Sequence, residues 1–242
     1  MEKDKRELAW QETAYPRYRK WIIRLLTPLL RLLFRPKYAG LEHLNREGPF
    51  VIVCNHRRFF DVMLIYGKIP RYSAWLAKAE LFDSPIVGEA ARRMGAIPVN
   101  RDTADIRAIK TSMQVIKNGG ILGVFPEGKR LQAEEQGKVL PREGLIRLLE
   151  RLNVPMVPVL FEGPYRLFRR VHIVVGEAFT MDELAKWESL EPEVTKSRAD
   201  DPRPHPAIES EIQKAGLDKR KSLMLQIYRL GEKIPDGFYD EN

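Results

Sequence analysis

The sequence of 242 residues contains one cysteine, Cys54, so an intramolecular disulfide is excluded. A reducing, cytosolic location is therefore the natural interpretation. His43, His172 and His205 are scattered without metal-ligand spacing, and one cysteine cannot complete a zinc motif with them. The glycines never form the GxxxxGK[ST] order, so a nucleotide-binding P-loop is not supported.

A long apolar run is also missing. The longest, from Trp21 to Phe34, has fourteen residues interrupted by Arg24 and Arg31, and is too short and too charged to span a bilayer. A secretory signal is disfavoured, because acidic residues lie in the first dozen positions and no small-residue cleavage site follows.

Carboxylates are absent from Thr13 to Gly40, whereas seven of the cations behind the net charge of +8 lie there. Trp, Leu and Ile interleaved with Arg and Lys predict a helix lying in the membrane interface and attracted to anionic lipid. The alternative is a helix that covers the protein's own core, with Pro28 marking a kink. The one-sided charge favours the membrane interpretation.

The following residues alternate short apolar runs with stretches of helical spacing. Seven runs predict strands, at Lys37 to Gly40, Phe50 to Cys54, Ser73 to Ala77, Ala96 to Val99, Ile121 to Phe125, Met156 to Phe161 and Val171 to Val175. Three stretches predict helices with Pro85 and Pro141 in first turns, at Pro85 to Arg93, Ala104 to Lys117 and Pro141 to Leu152. The alternation predicts an α/β fold with a mostly parallel sheet flanked by helices.

The organisation we predict has three parts. Residues 1–36 form a membrane-interface helical segment, and residues 37–180 form the α/β domain. Residues 181–242 form a C-terminal linker and helices that pack on the same domain. Within this last part, the four prolines from Glu191 to Pro206 predict a surface linker. Apolar residues from Ala207 to Leu230 again have helical spacing and predict helices.

The strand at Phe50 to Cys54 delivers His56, and Asp61 follows five residues later. If His56 lies in the turn after the strand and Asp61 in the first turns of a helix, the carboxylate can reach one ring nitrogen while the other faces the crevice. This is the arrangement of an oriented general base. A purely structural His–Asp pair is the alternative.

Cations follow three other predicted strands. Arg101 comes after one strand, Lys129 and Arg130 stand beside Gly128 after another, and Lys78 follows a third. Because the carboxyl ends of parallel strands share one edge of a sheet, these cations are candidates to bind a phosphate. Solvated caps of the strand ends are the alternative.

A covalent nucleophile is not evident. Cys54 falls inside a strand, and Ser84 and Ser112 have no base nearby in the sequence. The sequence therefore favours a direct, base-assisted transfer over a transfer through a covalent intermediate on the protein.

Four blocks follow one another in order: Asn55-His56-x4-Asp61, Gly95-x-Ile97-x-Val99-x-Arg101, Phe125-Pro-Glu-Gly-x-Arg130 and Val154-Pro-Met-Val-Pro-Val159. Together with the interfacial start, this order resembles the glycerolipid acyltransferase family, specifically the bacterial 1-acylglycerol-3-phosphate acyltransferases. The resemblance runs from about residue 37 to 178. It implies a transferase of phospholipid biosynthesis that acylates lysophosphatidic acid to give phosphatidic acid.

The resemblance also implies residue roles. His56 would remove the proton from the acceptor hydroxyl, with Asp61 orienting the imidazole and stabilising its charged form, and the oxygen would attack an acyl thioester. The cations of the second and third blocks, Arg101 and Arg130, would hold the acceptor's phosphate, with Lys78 as a further candidate. Glu127 and Gly128 would shape the loop. We also predict that Arg58 and Lys129 bind the substrate, at positions where this sequence departs from the family.

No cofactor or metal is implied, because the acyl donor is a co-substrate thioester carried by coenzyme A or by acyl carrier protein. The expected partners are lysophosphatidic acid or a related lysolipid and the anionic membrane surface. The expected location is the cytoplasmic face, with peripheral or monotopic attachment. Nucleic acid is not an expected partner, because the basic run is interleaved with Leu and Ile rather than with stacking aromatic residues.

Three positions depart from the family pattern NHxSxxD, Asp-Arg and EGTR. Arg58 stands for the Ser, Asn100 for the Asp and Lys129 for the Thr, and each change adds one positive charge. Our hypothesis is that the acceptor, or the phosphates of the donor, are more anionic than usual. Neutral drift at the rim of the pocket is the alternative to this hypothesis. A separate alternative to the enzyme is a lipid-binding member of the family that has lost the chemistry, and the intact His56 and Asp61 argue against it.

Overall fold

The computed structural model describes residues 15–101, 105–132, 135–184, 218–231 and 235. The helices are α1 (Tyr15–Phe34), α2 (Asp61–Tyr66), α3 (Val87–Arg93), α4 (Ile106–Lys117), α5 (Glu143–Leu152) and α6 (Lys219–Tyr228). The strands are β1 (Lys37–Ala39), β2 (Phe50–Cys54), β3 (Ser73–Lys78), β4 (Ala96–Val99), β5 (Ile121–Val124), β6 (Met156–Glu162) and β7 (His172–Val175). Two short 3-10 helices lie at Leu41–Leu44 and Ala79–Asp83.

The strands form one seven-stranded sheet in the order β1-β7-β6-β2-β5-β3-β4. The five strands from β6 to β4 are parallel, whereas β7 pairs antiparallel with β6 and β1 runs with β7. The prediction of a mostly parallel α/β sheet is confirmed. The central strand β2 lies between β6 and β5, so the carboxyl ends of these three strands are neighbours.

Both faces of the sheet are covered, which explains why its central strands are apolar at nearly every position. In β2 the side chains alternate: Val51 and Val53 join the core on one face, and Phe50, Ile52 and Cys54 join the core on the other. Helices α4, α5 and α6 contribute to the first core, and α1 and α2 contribute to the second.

Each strand lies within one residue of its predicted bounds, but the helices differ at their ends. Helices α3 and α5 begin at Val87 and Glu143, so Pro85 and Pro141 precede the N-cap residues rather than occupying the first turn. Proline suits this position as well, because its fixed φ fits the turn that leads into a helix. Helix α1 starts at Tyr15 and continues through Pro28.

The C-terminal prediction is tested only in part. Helix α6, Lys219–Tyr228, lies inside the predicted helical stretch and is buried against the domain, with Leu223, Leu225 and Ile227 fully inaccessible. The predicted linker, Glu191 to Pro206, lies outside the described residues, as do positions 207–217 of the stretch that follows it.

Among the described residues, no helix combines the length and the apolar character needed to cross a bilayer.

Candidate active site

The site is built at the carboxyl end of β2, where the chain leaves the sheet before α2. Asn55, buried directly after the strand, holds this end in place, because its side-chain amide bonds the backbone of Phe161 in β6 in both directions, at 3.0 and 2.7 Å. These two bonds extend the pairing of β2 with β6 by one residue. The following turn, His56 to Phe60, therefore starts from a fixed point.

His56 and Asp61 meet across this turn, as their spacing predicts. Asp61 is the first residue of α2 and is fully buried, and its Oδ2 lies 2.9 Å from Nδ1 of His56. The same Oδ2 accepts the backbone N–H groups of Arg57 and Arg58 at 2.7 and 2.8 Å. Because an ionised carboxylate can only accept hydrogen bonds, Nδ1 carries the proton and Nε2 is the basic nitrogen of the neutral ring.

The imidazole ring is also held from its face. It stacks on Phe125, the first residue after β5, with ring centroids 4.0 Å apart. Phe125 in turn contacts Trp75 of β3 at 5.5 Å. Trp75 lies against Gly123 of β5, where a Cβ atom would come within 2.3 Å of the indole ring, so only glycine leaves room for it. The ring orientation of His56 thus depends on three strands: β2, which His56 follows, β5, which Phe125 follows, and β3, which contains Trp75.

Tyr165 is a site residue that the sequence analysis did not identify. It follows β6, and its hydroxyl donates a 2.5 Å hydrogen bond to the second oxygen of Asp61, Oδ1. Burial and the adjacent Asp61 carboxylate raise the pKa of Tyr165, so the hydroxyl remains a donor. The guanidinium of Arg57 lies 5.8 Å from the centre of the tyrosine ring. Tyr165 is 104 positions from Asp61, and no local pattern signals the contact.

Glu127 lies in the loop after β5 and is buried. Its Oε2 accepts the backbone N–H of His56 at 2.7 Å, and its Oε1 accepts the hydroxyl of Tyr228 at 2.5 Å. Burial, the largest cause, raises the pKa of Glu127 to about 7. The adjacent Gly128 has a φ of +69°, which favours glycine and turns the loop back on itself. Glu127 and Gly128 were predicted from the sequence, but the tyrosine that bonds Glu127 was not.

The predicted phosphate-binding cations share one edge of the sheet but differ in their partners. Lys78 and Lys129 are exposed and form ion pairs of 2.7 Å with Glu80 and Glu135, respectively. Exposed pairs of this kind contribute at most about 1 kcal/mol, so an incoming phosphate can compete for either lysine.

Arg58 and Arg130 are exposed and form no ion pair with a carboxylate of the described residues. Arg130 belongs to the same loop as Glu127, and Arg58 lies in the turn that carries His56. Arg101 follows the edge strand β4, which is three strand spacings from β2, or about 14 Å across the sheet. Arg130 precedes Leu131, whose backbone N–H donates to the carbonyl of His56 at 2.9 Å, so the backbone at Arg130 lies beside the His56 turn.

Other chemistries find little support at this site. Cys54 is fully buried, its Sγ lies 3.7 Å from the carbonyl of Val124, and burial together with the nearby carboxylates raises the pKa of its thiol. It is therefore a core residue rather than a nucleophile. Within the described ranges no group of three or more His, Cys, Asp or Glu residues could hold a metal ion.

An exposed apolar surface adjoins the turn from His56 to Phe60, and we call it the apolar face. It consists of Trp21, Leu25, Leu29, Leu32, Phe59, Phe60, Leu167 and Phe168. The parts are in contact: Phe60 packs on Phe34 at the end of α1, with centroids 5.9 Å apart, and the backbone N–H of Phe168 bonds the carbonyl of Leu33. The exposed Arg24 and Arg31 lie on the same helix.

A scan of protein families matches the acyltransferase family model to residues 35–162, which is more than half of the chain. The match includes β1 to β6 and the His56–Asp61 turn. It ends before β7 and α6.

Individual relatives agree with this match. A 1-acyl-sn-glycerol-3-phosphate acyltransferase from Bacillus subtilis is 29% identical over 178 residues, which cover 71% of this chain and 87% of that protein. One from Streptococcus pneumoniae is 30% identical over 125 residues, which cover 51% of this chain and 45% of that protein. The crystal structure of the 1-acyl-sn-glycerophosphate acyltransferase from Thermotoga maritima superposes with a TM-score of 0.53 at 25% identity, covering 72% of each chain.

Proposed function

The chain belongs to the acyltransferase family, and from that premise we propose that it is a 1-acyl-sn-glycerol-3-phosphate acyltransferase. It transfers an acyl chain from a thioester to the free hydroxyl of lysophosphatidic acid and releases phosphatidic acid and a thiol. The observation that carries the proposal is the 2.9 Å contact between Nδ1 of His56 and the buried carboxylate of Asp61.

In the mechanism we propose, Nε2 of His56 accepts the proton of the acceptor hydroxyl as its oxygen attacks the thioester carbonyl. The resulting imidazolium is stabilised by Asp61 through the Nδ1 hydrogen bond. When the tetrahedral intermediate collapses, the carbon–sulfur bond breaks and the sulfur leaves with the proton held on Nε2. His56 returns to its neutral form, so no cofactor or metal is required.

Cations at the carboxyl edge of the sheet hold the acceptor's phosphate in this proposal. Arg130 and Arg58 are the leading candidates, because both are exposed and neither is paired with a carboxylate of the described residues. Arg101, Lys78 and Lys129 are further candidates. We assign Glu127 and Gly128 to the shape of the loop, because both Glu127 oxygens bond the protein itself.

The apolar face is the surface by which we propose that the protein binds the membrane. Large apolar side chains beside Arg24 and Arg31 suit the boundary between acyl chains and anionic headgroups. Attachment would be peripheral or monotopic, at the cytoplasmic face, where a lysolipid acceptor and a donor on coenzyme A or acyl carrier protein can meet. Phe59 and Phe60 connect this surface to the turn of His56.

A different, more anionic acceptor is the second candidate, and the cations at positions 58 and 129 favour it. The ion pair between Lys129 and Glu135 offsets one of these charges, so Arg58 makes the stronger case. An acceptor of this kind would be another lysolipid or another hydroxyl compound that carries more than one phosphate.

The test is acyl transfer from labelled acyl-coenzyme A or acyl-acyl carrier protein on anionic vesicles, with lysophosphatidic acid, lysophosphatidylcholine and a lysolipid bearing two phosphates as acceptors. We expect phosphatidic acid as the main product. Faster transfer to the doubly phosphorylated acceptor would favour the second candidate function over the first, provided that this preference is lost in the double variant Arg58→Ser, Lys129→Thr. Vesicle binding without transfer to any acceptor would leave a non-catalytic lipid-binding protein.

A further inference from the structure

Helix α6 reaches the catalytic turn from a part of the chain that the acyltransferase family model does not match. It packs against β6 and α5, and its residues from Ser222 to Tyr228 are all buried. Tyr228, at its last position, is 2% exposed. The phenol therefore points into the protein, in contact with the loop that follows β5.

The Tyr228 hydroxyl is fully engaged there. It donates to Oε1 of Glu127 at 2.5 Å and accepts the backbone N–H of Gly137 at 3.3 Å. The other oxygen of Glu127 accepts the backbone N–H of His56. A continuous line of hydrogen bonds thus runs from α6 through one buried carboxylate to the backbone of His56.

We propose that Tyr228 is a positioning residue: it holds Glu127, and Glu127 holds the backbone of His56 so that Nε2 faces the substrate. The inference deepens the proposed function and rests on it, because it assumes that His56 is the general base. It assigns to α6 a role in catalysis that goes beyond bracing the domain.

The loop after β5 holds the backbone of His56 at two points, its N–H and its carbonyl. Glu127 accepts its N–H, and the backbone N–H of Leu131 donates to its carbonyl at 2.9 Å. Because catalytic distances must be held to a fraction of an ångström, a loop that loosens at Glu127 displaces the ring as well. Tyr228 is the one side chain among the described residues that bonds the second oxygen of Glu127.

The charge on Glu127 depends on this phenol as well. Burial raises the pKa of Glu127, and the hydrogen bonds from Tyr228 and from the backbone N–H of His56 lower it. Smaller effects come from Asp61, which raises this pKa, and from Arg57, which lowers it. Cys54 adds no charge beside them, because burial and the nearby Asp61 and Glu127 carboxylates raise the pKa of its thiol. Loss of the phenol oxygen removes a donor to the charged form, so Glu127 would protonate at a higher pH.

The central experiment is the variant Tyr228→Phe, which keeps the ring and removes the oxygen. We expect kcat to fall roughly tenfold, as for the loss of a hydrogen bond to a buried carboxylate, with KM for acceptor and donor changed less than about twofold. Because Glu127 then protonates at a higher pH, and its neutral form holds the His56 N–H less strongly than the carboxylate does, the acidic limb of the kcat profile should move to higher pH. Ile227→Val is the matched control, because it trims a buried apolar side chain of the same helix and should leave both readouts unchanged.

A second measurement does not depend on activity. Hydrogen exchange of the His56 backbone amide, followed by NMR, should accelerate in Tyr228→Phe and not in Ile227→Val. In a Glu127→Gln background, Tyr228→Phe should reduce kcat less than about twofold further, because the two residues act through the same bond.

The outcomes separate this inference from the proposed function. Unchanged exchange at His56, or effects of the two substitutions that multiply fully, would overturn the positioning role even if the enzyme transfers acyl groups. Accelerated exchange in a native chain that transfers no acyl group would support the hydrogen-bond line and overturn the function it is assigned to serve.

Discussion

Asp61 is a buried carboxylate that accepts four hydrogen bonds, from Nδ1 of His56, from two backbone N–H groups and from the hydroxyl of Tyr165. A buried charge is tolerated only when such donors surround it. The same donors fix its oxygens in space, so that one of them directs the tautomer of His56. Stability and chemistry therefore depend on the same bonds at this residue.

Tyr165→Phe removes one of the four donors. We expect the free energy of unfolding at pH 7 to fall by about 2 kcal/mol, because hydrogen bonds to charged groups contribute about 1.5–3 kcal/mol. We also expect kcat to fall several-fold while KM changes little. Denaturant unfolding and steady-state kinetics on vesicles would measure both effects.

Tyr38→Phe is the matched control, because the Tyr38 hydroxyl donates to the neutral carbonyl of Leu64 at 2.8 Å. Its loss should cost about 1 kcal/mol and leave kcat unchanged. Equal losses of stability in the two variants, with kcat unchanged in both, would show that Tyr165 does not support Asp61.

Contacts between residues of one motif could be predicted from the sequence, but contacts between residues of distant motifs could not. The five-residue spacing of His56 and Asp61 limits how their side chains can meet across a turn, so their contact was predictable. Tyr165 and Tyr228 lie 104 and 101 positions from the carboxylates that they bond. Their placement depends on strand order and helix packing, and neither leaves a local signal.

At the scale of elements, α1 exposes large apolar side chains beside arginines while Leu30 and Phe34 are buried against the domain. The interpretation that this helix covers the protein's own core is therefore confirmed for one side. The membrane-interface interpretation stays a prediction, which the exposed apolar side chains of the other side support. The loops at 59–60 and 167–168 extend the apolar face, but they are too short to give a periodic pattern in the sequence.

Leu32→Glu places a charge on the apolar face at a side chain that is 63% exposed. We expect binding to anionic vesicles to weaken about tenfold or more, because a buried leucine contributes roughly 1.5–3 kcal/mol and a charge adds a desolvation cost. Vesicle flotation measures this. The melting temperature should change little, because the position is exposed.

Ile106→Glu is the control for that variant, because Ile106 begins another helix, α4, and is 62% exposed. Vesicle binding should remain at the native level there. If Leu32→Glu binds vesicles as well as Ile106→Glu does, the apolar face is not the membrane-binding surface.

At the scale of the whole molecule, strand order brings the chemistry together. The ends of β5, β2 and β6 are adjacent in the sheet although they are far apart in the chain, and they deliver Glu127, His56 and Tyr165 to one place. The sequence predicted seven strands and a mostly parallel sheet, because apolar runs and helical spacing are local properties. The order of the strands is a property of packing, and the sequence pattern does not contain it.

The +8 net charge is a second property of the whole molecule. Seven cations and no carboxylate lie between Thr13 and Gly40, so most of the net charge is concentrated in the stretch that contains α1. At the carboxyl ends of the strands, by contrast, the ion pairs of Lys78 and Lys129 with Glu80 and Glu135 offset part of the positive charge. A basic helix at the protein surface attracts anionic lipid, which is where our proposal places the membrane.

The most direct measurement is the rate of acyl transfer to lysophosphatidic acid on anionic vesicles by the native chain, by His56→Ala and by His172→Ala, which removes an exposed histidine of β7. We predict that kcat falls about 10²-fold or more in His56→Ala, as for the loss of a general base, with vesicle binding intact, and that His172→Ala keeps the native rate. Transfer by His56→Ala at the native rate would contradict the assignment of His56 as the base.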